Sequence, residues 1–156
     1  METNKIKVEL TMELLTETIH RLQAIGKSGR EYMVFWLGIK RGNSVRIKEV
    51  FTPFQVTSRI SIQIPQRGMQ ELFKHIRERR YVLAAQVHIH PIEAYHSKAD
   101  DHLAILRHEG ALSFVLPFFG LRTSPVSFFE DVACYVLTSS GNWEKVNSVE
   151  YVSLEK

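Results

Sequence analysis

The chain has 156 residues, 44% of them hydrophobic and 24% charged, so it is long enough to bury a full core, and we expect one domain over residues 1–156. No run of about 18 apolar residues occurs and the first residues are polar, which predicts neither a membrane span nor a secretory signal and favours a cytoplasmic protein. The net charge of +3 is mostly scattered and gives no argument for a nucleic-acid partner. The single cysteine, Cys134, excludes an internal disulfide, and its apolar surroundings favour a buried strand residue over a catalytic thiol.

The first part of the chain alternates between strand and helix patterns. Polar and apolar residues alternate over 5–10, after which Thr11 is a suitable helix N-cap and Gly26 a suitable helix end. The apolar run within 31–40 predicts a strand that is covered on both faces and therefore lies inside a sheet. A turn then leads into 45–51, so the two runs predict a hairpin.

The middle of the chain continues this alternation. Residues 58–64 alternate and predict an exposed strand, and Pro65 suits the start of an amphipathic helix over 66–80. Residues 81–90 then predict a strand, and 98–109 predict a second amphipathic helix that ends at a glycine.

The last part of the chain is rich in strand patterns. An apolar run over 111–116 predicts a buried strand, and 118–127 predict a loop whose aromatic residues either contact a partner or, as is more common, pack in the core. Strands are predicted over 130–138 and 143–154. Together the elements predict an α/β fold with a mixed central β-sheet flanked by helices.

The junction between strand 81–90 and the next helix carries the polar residues that suggest chemistry. His88 and His90 lie two apart on a strand, so they project to the same face and can present two imidazoles to one metal ion. A catalytic zinc site uses about three protein ligands and leaves a position for water. Asp100 or Asp101 can supply the third ligand, with Ser97 nearby as a hydroxyl donor.

These residues resemble the JAMM metalloprotease family, also called JAB or MPN. The family pattern is a glutamate on an early strand, then His-x-His-Pro, a loop and Ser-x-x-Asp. Its second half is matched by His88, His90, Pro91, Ser97 and Asp100. Its first half, Glu-x-Met-x-x-x-Leu-Gly, is matched by Glu31, Met33, Leu37 and Gly38. The order of elements fits across nearly the whole chain, which implies the family's cytidine-deaminase-like three-layer arrangement.

The resemblance implies a role for each of five residues. His88, His90 and Asp100 would bind one zinc ion. Glu31 would act as the general base on the attacking water. Ser97 would donate a hydrogen bond to the oxyanion that develops on the substrate carbonyl.

The loop between His90 and Ser97 is one residue shorter than the family pattern. If the family's number of residues between His90 and the third ligand were kept, Asp101 would be that ligand. We prefer Asp100, because a loop absorbs a deletion more easily than a helix start absorbs the loss of its oxyanion donor. His96, in the same loop, is either a substrate contact or an unrelated surface residue.

The resemblance also implies a substrate. Family members cleave the peptide or isopeptide bond after the C-terminal tail of a ubiquitin-like protein, so we expect a zinc-dependent isopeptidase with a ubiquitin-like partner. The compact chain is most similar to stand-alone bacterial members, which serve ubiquitin-like conjugation pathways that include antiphage defence. Two other functions stay open, a non-catalytic MPN-type protein-binding module and a zinc amidohydrolase acting on small peptides. The sequence leaves the oligomeric state undetermined.

Overall fold

The computed structural model describes residues 5–94 and 108–156. Its N-terminal part contains β1 (Lys7–Thr11), α1 (Met12–Gly26), β2 (Met33–Arg41), β3 (Ser44–Phe51), β4 (Val56–Thr57), β5 (Ile62–Gln63), α2 (Gln66–Arg79) and β6 (Val82–Ile89). Its C-terminal part contains β7 (Leu112–Leu116), α3 (Phe128–Asp131), β8 (Ala133–Leu137), β9 (Trp143–Val146) and β10 (Val152–Glu155). Among these residues, none of the helices has the length and apolar character that crossing a membrane requires.

Eight of these strands form one mixed sheet in the order β10-β1-β3-β2-β6-β7-β8-β9. The strand β2 lies between β3 and β6 and is antiparallel to both. The strands β6 and β7 are parallel, so their carboxyl ends meet at one end of the sheet. The remaining two strands, β4 and β5, form a small separate ribbon.

Alternation along β2 assigns its two faces to different layers. One face packs on α1 in a cluster that includes Val34, Trp36, Leu15, Ile19 and Leu22. The other face packs on α2 in a cluster that includes Met33, Phe35, Leu37, Ile62 and Leu72. The sheet is therefore buried between helices, which confirms the predicted α/β fold with a mixed central sheet flanked by helices.

The predicted strand over 58–64 is correct only at Ile62–Gln63, which form β5, because residues 58–61 turn instead of extending. The Ser58 N–H donates to the Ser61 carbonyl at 2.9 Å, and the two hydroxyl oxygens are 2.7 Å apart. These bonds close a tight turn between β4 and β5, and each of those strands has only two residues. Serine side chains that bond locally compete with strand pairing, and period-two alternation does not reveal that competition.

The predicted strand over 143–154 is two strands on opposite edges of the sheet. The strand β9 pairs with β8, whereas β10 pairs in parallel with β1. Between them the Asn147 side chain accepts a hydrogen bond from the Val149 N–H at 3.3 Å and starts a short 3-10 turn over Ser148–Glu150. An asparagine cap of this kind redirects the chain across the molecule.

Four phenylalanines lie between β7 and β8, and two of them are core residues, whereas Phe118 is only half-buried. Phe119 and Phe128 are buried in the main cluster, and Phe129 packs against it. Residues 128–131 form the short helix α3, so the strand predicted from residue 130 begins only at Ala133. The core interpretation of these aromatic residues is the one that the structure supports.

We expect Gly38→Ala to lower the free energy of unfolding by about 3 kcal/mol. Gly38 lies at an irregularity in the pairing of β2 with β3, and a Cβ atom there would overlap the Arg46 carbonyl oxygen. That oxygen belongs to the backbone of a central strand, so it cannot move aside without disturbing the sheet. Urea unfolding followed by tryptophan fluorescence measures the loss. The control is Gly29→Ala, where the space is open and only the positive φ of 73° is unfavourable. Equal losses in both variants would contradict the steric explanation.

Candidate metal centre

Three of the five predicted site residues lie among the described residues, and β2 and β6 bring them to the same end of the sheet. Met33 of β2 pairs with His88 of β6, and the Ile89 N–H donates to the Tyr32 carbonyl at 3.2 Å. Continuing this antiparallel register places Glu31 opposite His90. Because residues two apart on a strand share a face, the carboxylate and both imidazoles project to the face that carries Met33.

All three side chains are withdrawn from solvent. The exposed fractions are 0% for His88, 4% for His90 and 6% for Glu31. Histidine and glutamate are seldom buried unless their polar atoms have partners, and each of these residues makes polar or ring contacts in the structure. Their burial at the same end of the sheet makes them a candidate functional site.

The separation of the two imidazoles fits a shared metal ion. The ring centroids of His88 and His90 are 5.0 Å apart, with an angle of 58° between the ring planes. Two rings bound to one zinc ion through Zn–N bonds of about 2.1 Å, at a tetrahedral angle of about 109°, would have centroids about 5 Å apart. The separation of the ring centroids is therefore compatible with both imidazoles binding one zinc ion.

The other predicted residues lie outside the described ranges. These are Ser97 and Asp100, together with the alternative ligand Asp101 and the loop residue His96. Within the described ranges, no group of three or more His, Cys, Asp or Glu residues is arranged to hold a metal ion. The third ligand of a zinc site would have to come from elsewhere in the chain, and the family resemblance predicts Asp100 for that position.

The start of β2 is held by residues that the sequence did not single out. The Gln55 side chain accepts a hydrogen bond from the Met33 N–H at 2.9 Å and donates to the Met33 carbonyl at 2.8 Å. It thus pairs with Met33 as a neighbouring strand would. The Glu31 N–H donates to the Ser58 carbonyl at 2.8 Å. These three bonds fix the backbone that carries Glu31, and no local pattern around Gln55 could have predicted its contacts.

The end of β6 is held by a left-handed turn over Phe118–Gly120. The φ angles of Phe118 and Phe119 are both 55°, and that of Gly120 is 71°. Non-glycine residues in this conformation cost about 1–2 kcal/mol each, and such strain is commonly kept near functional sites. The Phe119 N–H donates to the His90 carbonyl at 2.7 Å, and the Phe118 N–H donates to the Ile92 carbonyl at 2.9 Å. Only Gly120 gave any sequence signal for this turn.

The one cysteine is far from nucleophilic. Cys134 is buried on β8, and burial raises the pKa of its thiol to about 12. We therefore expect iodoacetamide at about pH 8 to leave the native protein unlabelled and its hydrolytic activity unchanged, because the thiolate is the reactive form. Mass spectrometry measures the labelling, and the urea-unfolded chain is the positive control. Inactivation that accompanies labelling of the native protein would contradict this expectation.

The fold has a solved counterpart, although no family model matches the chain. The solution structure of protein DSY2949 from Desulfitobacterium hafniense superposes with a TM-score of 0.70. The match covers 96% of this chain and 93% of that one, at 14% sequence identity. At that identity the likeness establishes a shared fold over almost the whole chain.

A curated protein is similar to this chain in sequence as well. The probable metalloprotease y4jG of Sinorhizobium fredii is 32% identical over 145 residues, which cover 90% of this chain and 88% of the relative. A metalloprotease requires protein ligands for a metal, and the buried histidine pair at the end of β6 fits that requirement. The chain belongs to the metalloprotease family that this relative represents.

Proposed function

We propose that the protein is a JAMM-type zinc peptidase, with His88, His90 and Asp100 as the metal ligands. The observation that carries this proposal is the spacing of the two buried imidazoles, which suits one tetrahedral ion, with Glu31 in register across from His90. Two histidines and one carboxylate form a ligand set that leaves a position for water, as hydrolytic zinc sites require.

Glu31 supplies the general base in this proposal. When bound, zinc provides Lewis acidity that makes water a nucleophile near neutral pH. The Glu31 carboxylate accepts a proton from the attacking water and passes it to the departing amine, so that one amide and one water give a carboxylate and an amine. Because Glu31 is 6% exposed, bulk water competes little for its carboxylate. Ser97 donates a hydrogen bond to the oxyanion that forms on the substrate carbonyl.

For the substrate we propose the extended C-terminal tail of a ubiquitin-like protein, cleaved within a bacterial ubiquitin-like conjugation pathway such as antiphage defence. Exposed apolar side chains lie on segments next to the histidine pair, namely Ile60, Ile92 and Leu121, at 76%, 62% and 47% exposure. An apolar rim of this kind favours a folded protein partner over a short peptide. The ribbon of β4 and β5 offers a strand edge next to Glu31 where an extended tail could pair.

The test compares a linear ubiquitin-like fusion with a short peptide that carries the same tail sequence. We expect zinc-dependent cleavage directly after the tail, with a higher kcat/KM for the fusion than for the peptide. The substitution Ile92→Asp should raise KM for the fusion and leave peptide cleavage unchanged, because it alters only the rim. Equal cleavage of fusion and peptide would favour the amidohydrolase. A protein that binds the fusion without cleaving it, and holds no zinc, would be a binding module.

A further inference from the structure

We propose that the left-handed turn over Phe118–Gly120, anchored on α1 by Gln23, is a positioning element that sets the orientation of His90 for metal binding. The inference rests on the proposed function, in which His90 is a zinc ligand. It assigns Gln23, a helix residue outside the metal site, as a positioning residue.

The turn fixes His90 through its backbone. His90 follows the last residue of β6, so only one of its sides is secured by the sheet, where its N–H donates to the Leu116 carbonyl at 2.9 Å. The Phe119 N–H secures the other side through the 2.7 Å bond to the His90 carbonyl. Both peptide groups of His90 are therefore held, and the direction of its side chain follows from that backbone.

The turn is held in its left-handed conformation by α1. The Gln23 side-chain amide donates two hydrogen bonds, to the Gly120 and Thr123 carbonyls, each at 2.9 Å. Gly26, one turn further along α1, lets the helix approach so closely that a Cβ atom there would overlap the Phe119 carbonyl oxygen. Two independent features of α1 thus meet the same three-residue turn.

The β4–β5 ribbon makes a second contact with the turn. The Arg59 guanidinium, at the tip of the β4–β5 ribbon, lies 5.6 Å from the centre of the Phe119 ring. The same ribbon accepts the hydrogen bond from the Glu31 N–H. The turn therefore contacts both α1, which holds it, and the ribbon that supports the proposed base. Such outer contacts set ligand orientation, and their loss commonly lowers metal affinity by about 10- to 100-fold.

The experiment compares three variants of the full chain. Gln23→Glu keeps the shape of the side chain but replaces the donating amide with an acceptor that repels the two carbonyls. Gln23→Lys restores a donor. Ala24→Gly is the control, because it weakens the same helix at the neighbouring exposed position. The readouts are zinc affinity by chelator competition, the visible spectrum of the cobalt-substituted protein, and the imidazole ¹⁵N shifts of the metal-free protein, with His75 as internal reference.

We expect Gln23→Glu to weaken zinc binding by about 10-fold or more, to change the cobalt spectrum and to move the ring shifts of His90 but not of His75. Gln23→Lys should recover most of the affinity, and Ala24→Gly should match the wild type. Equal losses of zinc affinity in Gln23→Glu and Ala24→Gly would show that the effect comes from helix stability and would overturn the inference. Unchanged zinc affinity together with unchanged His90 ring shifts in Gln23→Glu would also overturn it. A wild-type protein that holds no zinc would overturn the proposed function instead, and the ring shifts of the metal-free protein would still decide this inference.

Discussion

Replacing Glu31 with glutamine is expected to lower kcat for hydrolysis of a ubiquitin-like fusion by about 10³-fold while the protein keeps one zinc ion per chain. Glutamine has nearly the same shape and polarity, so the buried site at the start of β2 stays filled, and the Glu31 N–H bond to the Ser58 carbonyl belongs to the backbone. What is lost is the carboxylate that accepts the proton of water. In this proposal Glu31 is not a ligand, so metal content separates loss of the base from loss of the site.

The matched control is Glu93→Gln, which removes the same charge at an exposed position three residues after His90. It should retain nearly full activity, because a solvated carboxylate near the site contributes little to the field within it. Metal analysis and single-turnover kinetics give the comparison. Wild-type turnover by Glu31→Gln, or a matching loss in Glu93→Gln, would contradict the assignment of Glu31 as the base.

The sequence was sufficient to predict the parts of the fold that depend on local periodicity. The uninterrupted apolar run of β2 predicted a strand covered on both faces, and the structure buries Met33 to Gly38 inside the sheet. Thr11 and Gly26 were predicted as the N-cap and the end of a helix, and α1 spans Met12–Gly26 with one face in the main core. Burial on one side of a helix or on both sides of a strand leaves a direct periodic signal.

The histidine pair was predictable for the same reason, since alternation on a strand places residues two apart on one face. Its partner Glu31 is 57 positions away from His88 along the chain. No spacing rule brings these residues together, and only the resemblance to a family pattern selected Glu31. In the structure the pairing of β2 with β6 brings them to the same end of the sheet, because Met33 is opposite His88.

The supports of the site were not predictable, because each depends on a contact between segments distant in sequence. Gln55 pairs with Met33 through a side chain, and Gln23 reaches carbonyls of the turn about 100 positions later. A glutamine in a loop or on a helix has no pattern that distinguishes such a role from an ordinary polar surface. Likewise the parallel pairing of β10 with β1 joins the two ends of the described chain, which local alternation cannot specify.

Replacing His90 with glutamine is expected to weaken zinc binding by about three orders of magnitude and to abolish measurable hydrolysis. In the proposed site one of three protein ligands is lost. Structural zinc sites derive several kcal/mol from each ligand on average, given total apparent binding energies of about 10–16 kcal/mol. The fold should persist, because the bonds that hold His90 to Leu116 and Phe119 are made by its backbone.

Thermal unfolding with and without added zinc gives an independent measure of this loss. Zinc that binds only the native chain raises Tm by mass action, and at 1,000 times the dissociation constant it adds about 4 kcal/mol of stability. The wild type should show that rise, should lose it with a chelator and should regain it when zinc is restored. His90→Gln should show almost no rise in Tm with zinc. The control is His75→Gln, which removes an imidazole on α2 that is bonded to Glu49 at 2.8 Å, and it should respond as the wild type does. A zinc-dependent rise in Tm that survives in His90→Gln would place the metal elsewhere. At the end of β6 only His88 would then be left to bind the ion on that face.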